Sequence, residues 1–202
     1  MKTFLTEDRE ARSSARELDE AAPTDSKKGR TMSTPKVLNI ETPKVDQIKT
    51  GVSDEVREQL AKHLSVILAE TYMLTIKSHL YHWNVVGPLF KSIHDLTEEH
   101  YENLFAATDD LAERIRALGH RAPVNVDEGK LNLSVSLPAG GMPNAFEMIE
   151  DLVHSHEMIA AEMRDMAAYA GENSDPVTED LLTQRITFHD KAAWMLRAVI
   201  TE

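Results

Sequence analysis

The sequence predicts an all-α fold, a bundle of four long helices with one long crossover between the second and the third. Three observations point there. Ala, Leu, Glu, Arg and Met, all strong helix formers, fill the long segments, while aromatic residues make up only 5% of the 202 residues. Apolar residues recur in those segments at helical spacing, and Gly and Pro fall between them.

The elements follow in chain order. Residues 1–50 are rich in Ser, Thr, Pro and mixed charge and show no sustained apolar period, so they are expected to form a tail without packed structure. Met32 offers a second start, which would leave residues 1–31 outside the natural product. Ser53 before Asp54 and Glu55 is a helix start, a capping hydroxyl followed by acids in the first turn. Val56, Leu60, Leu64, Ile67, Leu68, Leu74 and Leu80 carry that helix to about Trp83, where Gly87-Pro88 breaks the pattern. A second helix is expected from Phe90 to Leu118, stopped by Gly119. Residues 119–143 hold three Pro and four Gly, with one helical turn expected near residues 126–129; a connection of that length crosses from one end of a fold to the other. The third helix is expected over 144–170, ending at Gly171, and Asp175-Pro176 opens a fourth that runs to about Ile200. Two hairpins of helices joined by one long crossover make a ferritin-like four-helix bundle over residues 51–202.

Composition narrows the chemistry. The sequence has no Cys, so any metal is held by His, Asp or Glu, a donor set suited to iron, manganese or zinc. The absence of Cys also fits a reducing cytoplasm. No apolar run is long enough to span a membrane. The charge is uneven: residues 1–50 carry 10 Lys/Arg and 9 Asp/Glu, and the remainder carries 12 against 25. An acidic body attracts cations and repels nucleic acid, leaving Lys27-Lys28-Gly29-Arg30 as the densest patch able to approach DNA.

The chemistry-bearing residues are His82, His94, Glu98, Asp109 and Glu113. The last four are separated by 4, 11 and 4 positions, which places them within one stripe of a single helix. His94 and Asp109 nevertheless stand roughly 22 Å apart along that helix at 1.5 Å per residue, too far for one metal ion. The Glu-x-x-His motif of an intrachain di-iron bundle is absent; Asp151-Leu-Val-His154 carries the shorter acid. If two copies of the second helix pack antiparallel about a two-fold axis, His94 and Glu98 of one copy meet the two acids of the other, and two identical sites form.

His82-Trp-Asn-Val-Val-Gly-Pro-Leu-Phe90, His94 twelve residues after the first His, and Asp109-x-x-x-Glu113-Arg114 closely resemble the Dps mini-ferritins, the DNA-binding proteins from starved cells. The resemblance covers about residues 51–202. It implies a homododecameric cage with ferroxidase di-iron centres at its two-fold interfaces: His82, His94 and an acid at 98 from one subunit, Asp109 and Glu113 from its partner. The family more often has Asp at the position of Glu98. The resemblance further implies oxidation of Fe²⁺, preferably by hydrogen peroxide, storage of ferric oxide and protection from oxidative damage. It makes Trp83 a candidate sink for stray oxidising equivalents, against a plain role in core packing, and Asp175 and Asp180 candidate pore acids, against helix capping. His79 is expected to be structural or to support the ligands. His63, His100, His120, His154, His156 and His189 are expected at the surface. The competing reading is a nucleoid protein that compacts DNA through its tail; so few basic residues, diluted by acids, make a weak polyelectrolyte partner.

Overall fold

The computed structural model describes residues 48–123 and 133–201, and all regular structure among them is helical. Helix α1 spans Asp54–Asn84, α2 Phe90–Ala117, α3 Ala145–Glu172 and α4 Pro176–Ile200. Helix α1 packs along α2 and α3 along α4, each pair joined by a short turn, and α1 also meets α3. The expectations for residues 1–47 of the tail and for a helical turn near 126–129 lie outside the described residues.

Side-chain caps open α1, α3 and α4, whereas Leu89 before α2 makes no side-chain capping bond. The Ser53 hydroxyl accepts from the Val56 N–H. At α3, Asn144 and Glu147 form a reciprocal capping box, each side chain bonded to the other residue's backbone N–H. Gly87 and Gly119 take φ of 92° and 96°, the left-handed conformation in which a side chain is strained, just beyond α1 and α2. The third helix corrects the expectation at its end. Gly171 lies within α3, and the chain reverses at Ser174, with φ 62°. A Cβ at Gly171 would come within 2.9 Å of the Glu179 carboxylate on α4, the far end of a flexible side chain.

The core is formed by residues such as Leu60, Leu64, Leu74, Ile93, Leu104, Leu111, Met148, Leu152, Ile159 and Leu196. Burying each such side chain contributes roughly 1.5–3 kcal/mol. Some polar groups inside are paired across helices. Lys77 on α1 donates to Asp151 and Ser155 of α3, both at 2.8 Å, and the Tyr81 hydroxyl donates to the other Asp151 oxygen. The returning crossover is fastened to α1 by Ser134, whose N–H and hydroxyl both donate to Glu70 at 2.6 Å.

Asp175 joins the two hairpins. Its carboxylate caps α4 through the N–H and hydroxyl of Thr178 and takes both oxygens to the Arg114 guanidinium of α2 at 2.7 Å. Burial pushes this carboxyl upward, but the bonds from Thr178 and Arg114 outweigh it and hold it below its ordinary value. The stabilisation is therefore present at neutral pH and is lost as the pH falls below the ordinary carboxylate value of 3.8. Asp175→Ala leaves a largely buried guanidinium without its partner and should lower the unfolding free energy by about 3 kcal/mol, read from the urea midpoint at neutral pH.

Candidate metal centre

Helices α1 and α2 position the five candidate ligands. His82 lies in the last turn of α1 and His94 in the second turn of α2, on either side of the 85–89 turn. Their rings stack with centroids 3.7 Å apart and planes 16° from parallel. Nδ1 of His82 lies 2.9 Å from the His94 carbonyl oxygen, and Nδ1 of His94 lies 2.9 Å from the His82 carbonyl oxygen. A carbonyl only accepts, so Nδ1 carries a proton in both rings, and in the neutral imidazole Nε2 then keeps its lone pair. That is the tautomer a metal-binding imidazole needs, fixed by bonds to the backbone.

Aromatic rings frame the pair. Phe90 stacks on His94 at 4.9 Å, and Tyr101 meets His82 edge-on at 5.3 Å. His79 stacks between Tyr101, at 4.0 Å, and Trp83, at 5.3 Å. Partial burial, then the neighbouring His82, lowers the His79 pKa below the ordinary imidazole value. Trp83 is 67% exposed within the chain, so it packs in no intrachain core. Sequence reasoning missed Tyr101, whose hydroxyl donates to Glu98 at 3.4 Å. Its signal was available, since position 101 falls on the same helical stripe as 94 and 98.

Glu98, Asp109 and Glu113 all lie exposed along α2. The structure brings His82 and His94 together but leaves Asp109 and Glu113 farther along the same helix. Among the described residues, no three His, Asp or Glu side chains converge to hold a metal ion. Phe105, between the two groups on that stripe, is 64% exposed, a large apolar side chain that a monomer gains nothing by showing to water. Asp180 is exposed and accepts from Gln184 at 2.7 Å, whereas Asp175 is committed to Arg114 and Thr178.

Three histidines overturn the surface expectation. His100, His156 and His189 are buried between α2, α3 and α4, while His63 and His154 are exposed as expected. The register explains the miss. His100 continues the core series Ile93, Thr97 and Leu104; His156 follows Leu152 by four; His189 follows Leu182 and Arg185. Each belongs to its helix's inward stripe, and polarity alone did not move it outward.

Comparisons with known proteins agree with this architecture. The family model described as a ferritin-like domain matches residues 61–202. An uncharacterised low temperature-induced protein of Nostoc sp. is 41% identical over 146 residues, 71% of this chain and 81% of that protein. DNA protection during starvation protein 2 of Bacillus anthracis is 33% identical over 145 residues, 72% of this chain and 99% of that one. The crystal structure of a Dps protein from Vibrio cholerae O1, described as a member of a broad superfamily of ferritin-like diiron-carboxylate proteins, superposes with a TM-score of 0.68. It is 28% identical, covering 74% of this chain and 94% of that one. With its four-helix bundle, its long crossover and these relatives, the chain belongs to the Dps family of ferritin-like proteins.

Proposed function

We propose that two copies of this chain pair α2 against α2 about a two-fold axis and so build two iron-oxidising centres. Each takes His82, His94 and Glu98 from one copy and Asp109 and Glu113 from the other. The observation that carries this reading is the pair of imidazoles locked with both Nε2 atoms bare, on a helix face whose acids no single chain brings to them. The exposed Phe105 between the two groups supplies an apolar contact at the centre of such an interface. Twelve copies then form a cage that stores the oxidised product.

The chemistry follows from the donors. Imidazole nitrogen holds Fe²⁺, and carboxylates favour the harder Fe³⁺. Two Fe²⁺ held together give up one electron each to a single hydrogen peroxide, which takes two protons and leaves as two waters, so no hydroxyl radical is released. Tyr101 holds the Glu98 carboxylate in place, and His79 and Trp83 form the stack beside His82 that would take up a stray oxidising equivalent. Asp180, exposed on the first turns of α4 and bonded only to Gln184 among the hydrogen bonds described, is better placed than Asp175 to line an iron-entry pore. Protection of DNA, named in the relatives, is then achieved by removing Fe²⁺ and peroxide together. Direct DNA contact is confined to the tail, so a chain lacking residues 1–50 should still oxidise iron but lose any weak, salt-sensitive binding in a mobility-shift assay.

Fe²⁺ oxidation followed anaerobically with peroxide, and separately with oxygen, tests the reading. Oxidation should be faster with peroxide, and light scattering should give twelve times the 22.7 kDa chain mass. His82→Ala/His94→Ala should slow it by roughly tenfold or more with the mass unchanged. A variant oxidising iron at the original rate would remove these residues from the centre.

A further inference from the structure

A cavity of about 570 Å³ between α1 and α3 is lined by none of the candidate iron ligands. Val66 and Ile67 of α1, with Met166 and Tyr169 of α3, make its apolar wall. Glu162 and Asp165, one turn apart on α3, add two carboxylates to the same lining, and no Lys or Arg stands among the described residues there. Glu162 also faces Glu70 of α1, which is fully buried one turn past Val66 and Ile67. Oε1 of Glu70 takes both donors of Ser134 at 2.6 Å, while Oε2 is buried without a hydrogen-bond partner. A buried acceptor with no donor is rare in folded proteins. This one sits against a carboxylate that lines a cavity.

Size and lining together say what kind of ligand fits. The volume lies in the range of roughly 300–1,000 Å³ that encloses one small organic molecule. Two carboxylates face to face hold either a proton or a positive group. A hydrated metal ion gains nothing from the apolar wall, and among the described residues no three His, Asp or Glu side chains converge to replace its waters. An anion would meet only carboxylates of its own sign. A primary ammonium offers three donors and no acceptor, the complement of these oxygens. We propose that the cavity binds an amphiphilic amine, its ammonium at Glu162 and its apolar stem against Val66, Ile67, Met166 and Tyr169. Asp165 adds its charge at the same lining.

The pH dependence has a definite sign. Burial, above all, raises the Glu70 carboxyl from 4.5 to about 7, with the facing Glu162 adding to it and the two Ser134 bonds opposing. Below that value Glu70 keeps its proton, and above it the pair carries two negative charges. An ammonium at Glu162 favours the doubly charged pair, so binding releases a proton and tightens as the pH rises through about 7. Glu162 of α3 and Ser134 of the crossover are the groups that act on Glu70, and His63 of α1 and Asp165 of α3 line the cavity beside them. A protonated His63 would oppose the ligand in the same direction, and Glu70→Gln isolates the share that belongs to Glu70.

Titration of the full-length assembly with phenethylammonium chloride tests this, with ethylammonium as the same head group lacking the ring. Calorimetry at about pH 8 should show one saturable site per chain for phenethylammonium, at least roughly tenfold tighter than for ethylammonium. At about pH 6 the same site should bind roughly tenfold more weakly. Neutral 2-phenylethanol should not compete. Glu162→Gln should abolish binding, and Glu70→Gln should hold it near its acid level at both pH values. Both changes keep the side chain's shape, and light scattering checks that the variants assemble. The comparison of the two amines on the unmodified chain stands as the test if one does not. No saturable binding, as when a second copy or another segment fills the cavity, would overturn the proposal. So would equal binding of the two amines, which is mere attraction to a chain of net charge −12, or binding undiminished in Glu162→Gln. Displacement by an equal concentration of Mg²⁺ would make it an inorganic cation site and overturn it as well.

Discussion

Two imidazoles that each donate to the other's backbone carbonyl hold the α1–α2 hairpin and its chemistry together. The bonds between His82 and His94 span the 85–89 turn and satisfy the carbonyl oxygens of both residues. They join the end of α1 to the start of α2 across that turn. They also fix the tautomer of both rings. The same pair of hydrogen bonds joins the two helices and orients both rings. The surrounding rings of Phe90, Tyr101 and His79 restrict the imidazoles further without touching Nε2 chemistry.

The rest of the bundle keeps that hairpin in register. Lys77, five residues before His82, and Tyr81, next to it, are anchored on Asp151 of α3, and Arg114, one residue past Glu113, is anchored on Asp175 at the start of α4. Both ends of this face are thus tied to the second hairpin by partly buried charge-assisted bonds, which are more directional than apolar contacts. The apolar core supplies most of the stabilisation, and these bonds decide the register in which it is realised.

Much of this was legible in the sequence. Ser53, Gly119, Asn144 and Asp175-Pro176 mark helix ends within a residue or two, because caps act locally and leave local signatures. That the candidate residues share one stripe of α2 followed from the 3.6-residue period alone. At the end of α3 the glycine lies just inside the helix and the reversal comes at Ser174, whose left-handed backbone leaves no mark in its residue type. The buried histidines were misplaced for a related reason. Polarity argued for the surface, while their register on the core stripe argued for burial, and only the packing of three helices shows that the register prevailed. The reciprocal His82–His94 bonds depend on the geometry of a turn, which spacing does not reveal.

The central claim is that each centre is shared between two chains, and complementation tests it most directly. His82→Ala/His94→Ala removes one half of every site, and Asp109→Ala/Glu113→Ala the other half. Co-assembled in equal amounts, half of the two-fold pairs are mixed, and each mixed pair holds one intact site beside one that has lost everything. Roughly one site in four should therefore recover peroxide-driven Fe²⁺ oxidation, a consequence of two-fold symmetry. Mixed assemblies of confirmed mass that remain as inactive as either parent would contradict the account, since chains carrying their own complete sites have nothing to exchange.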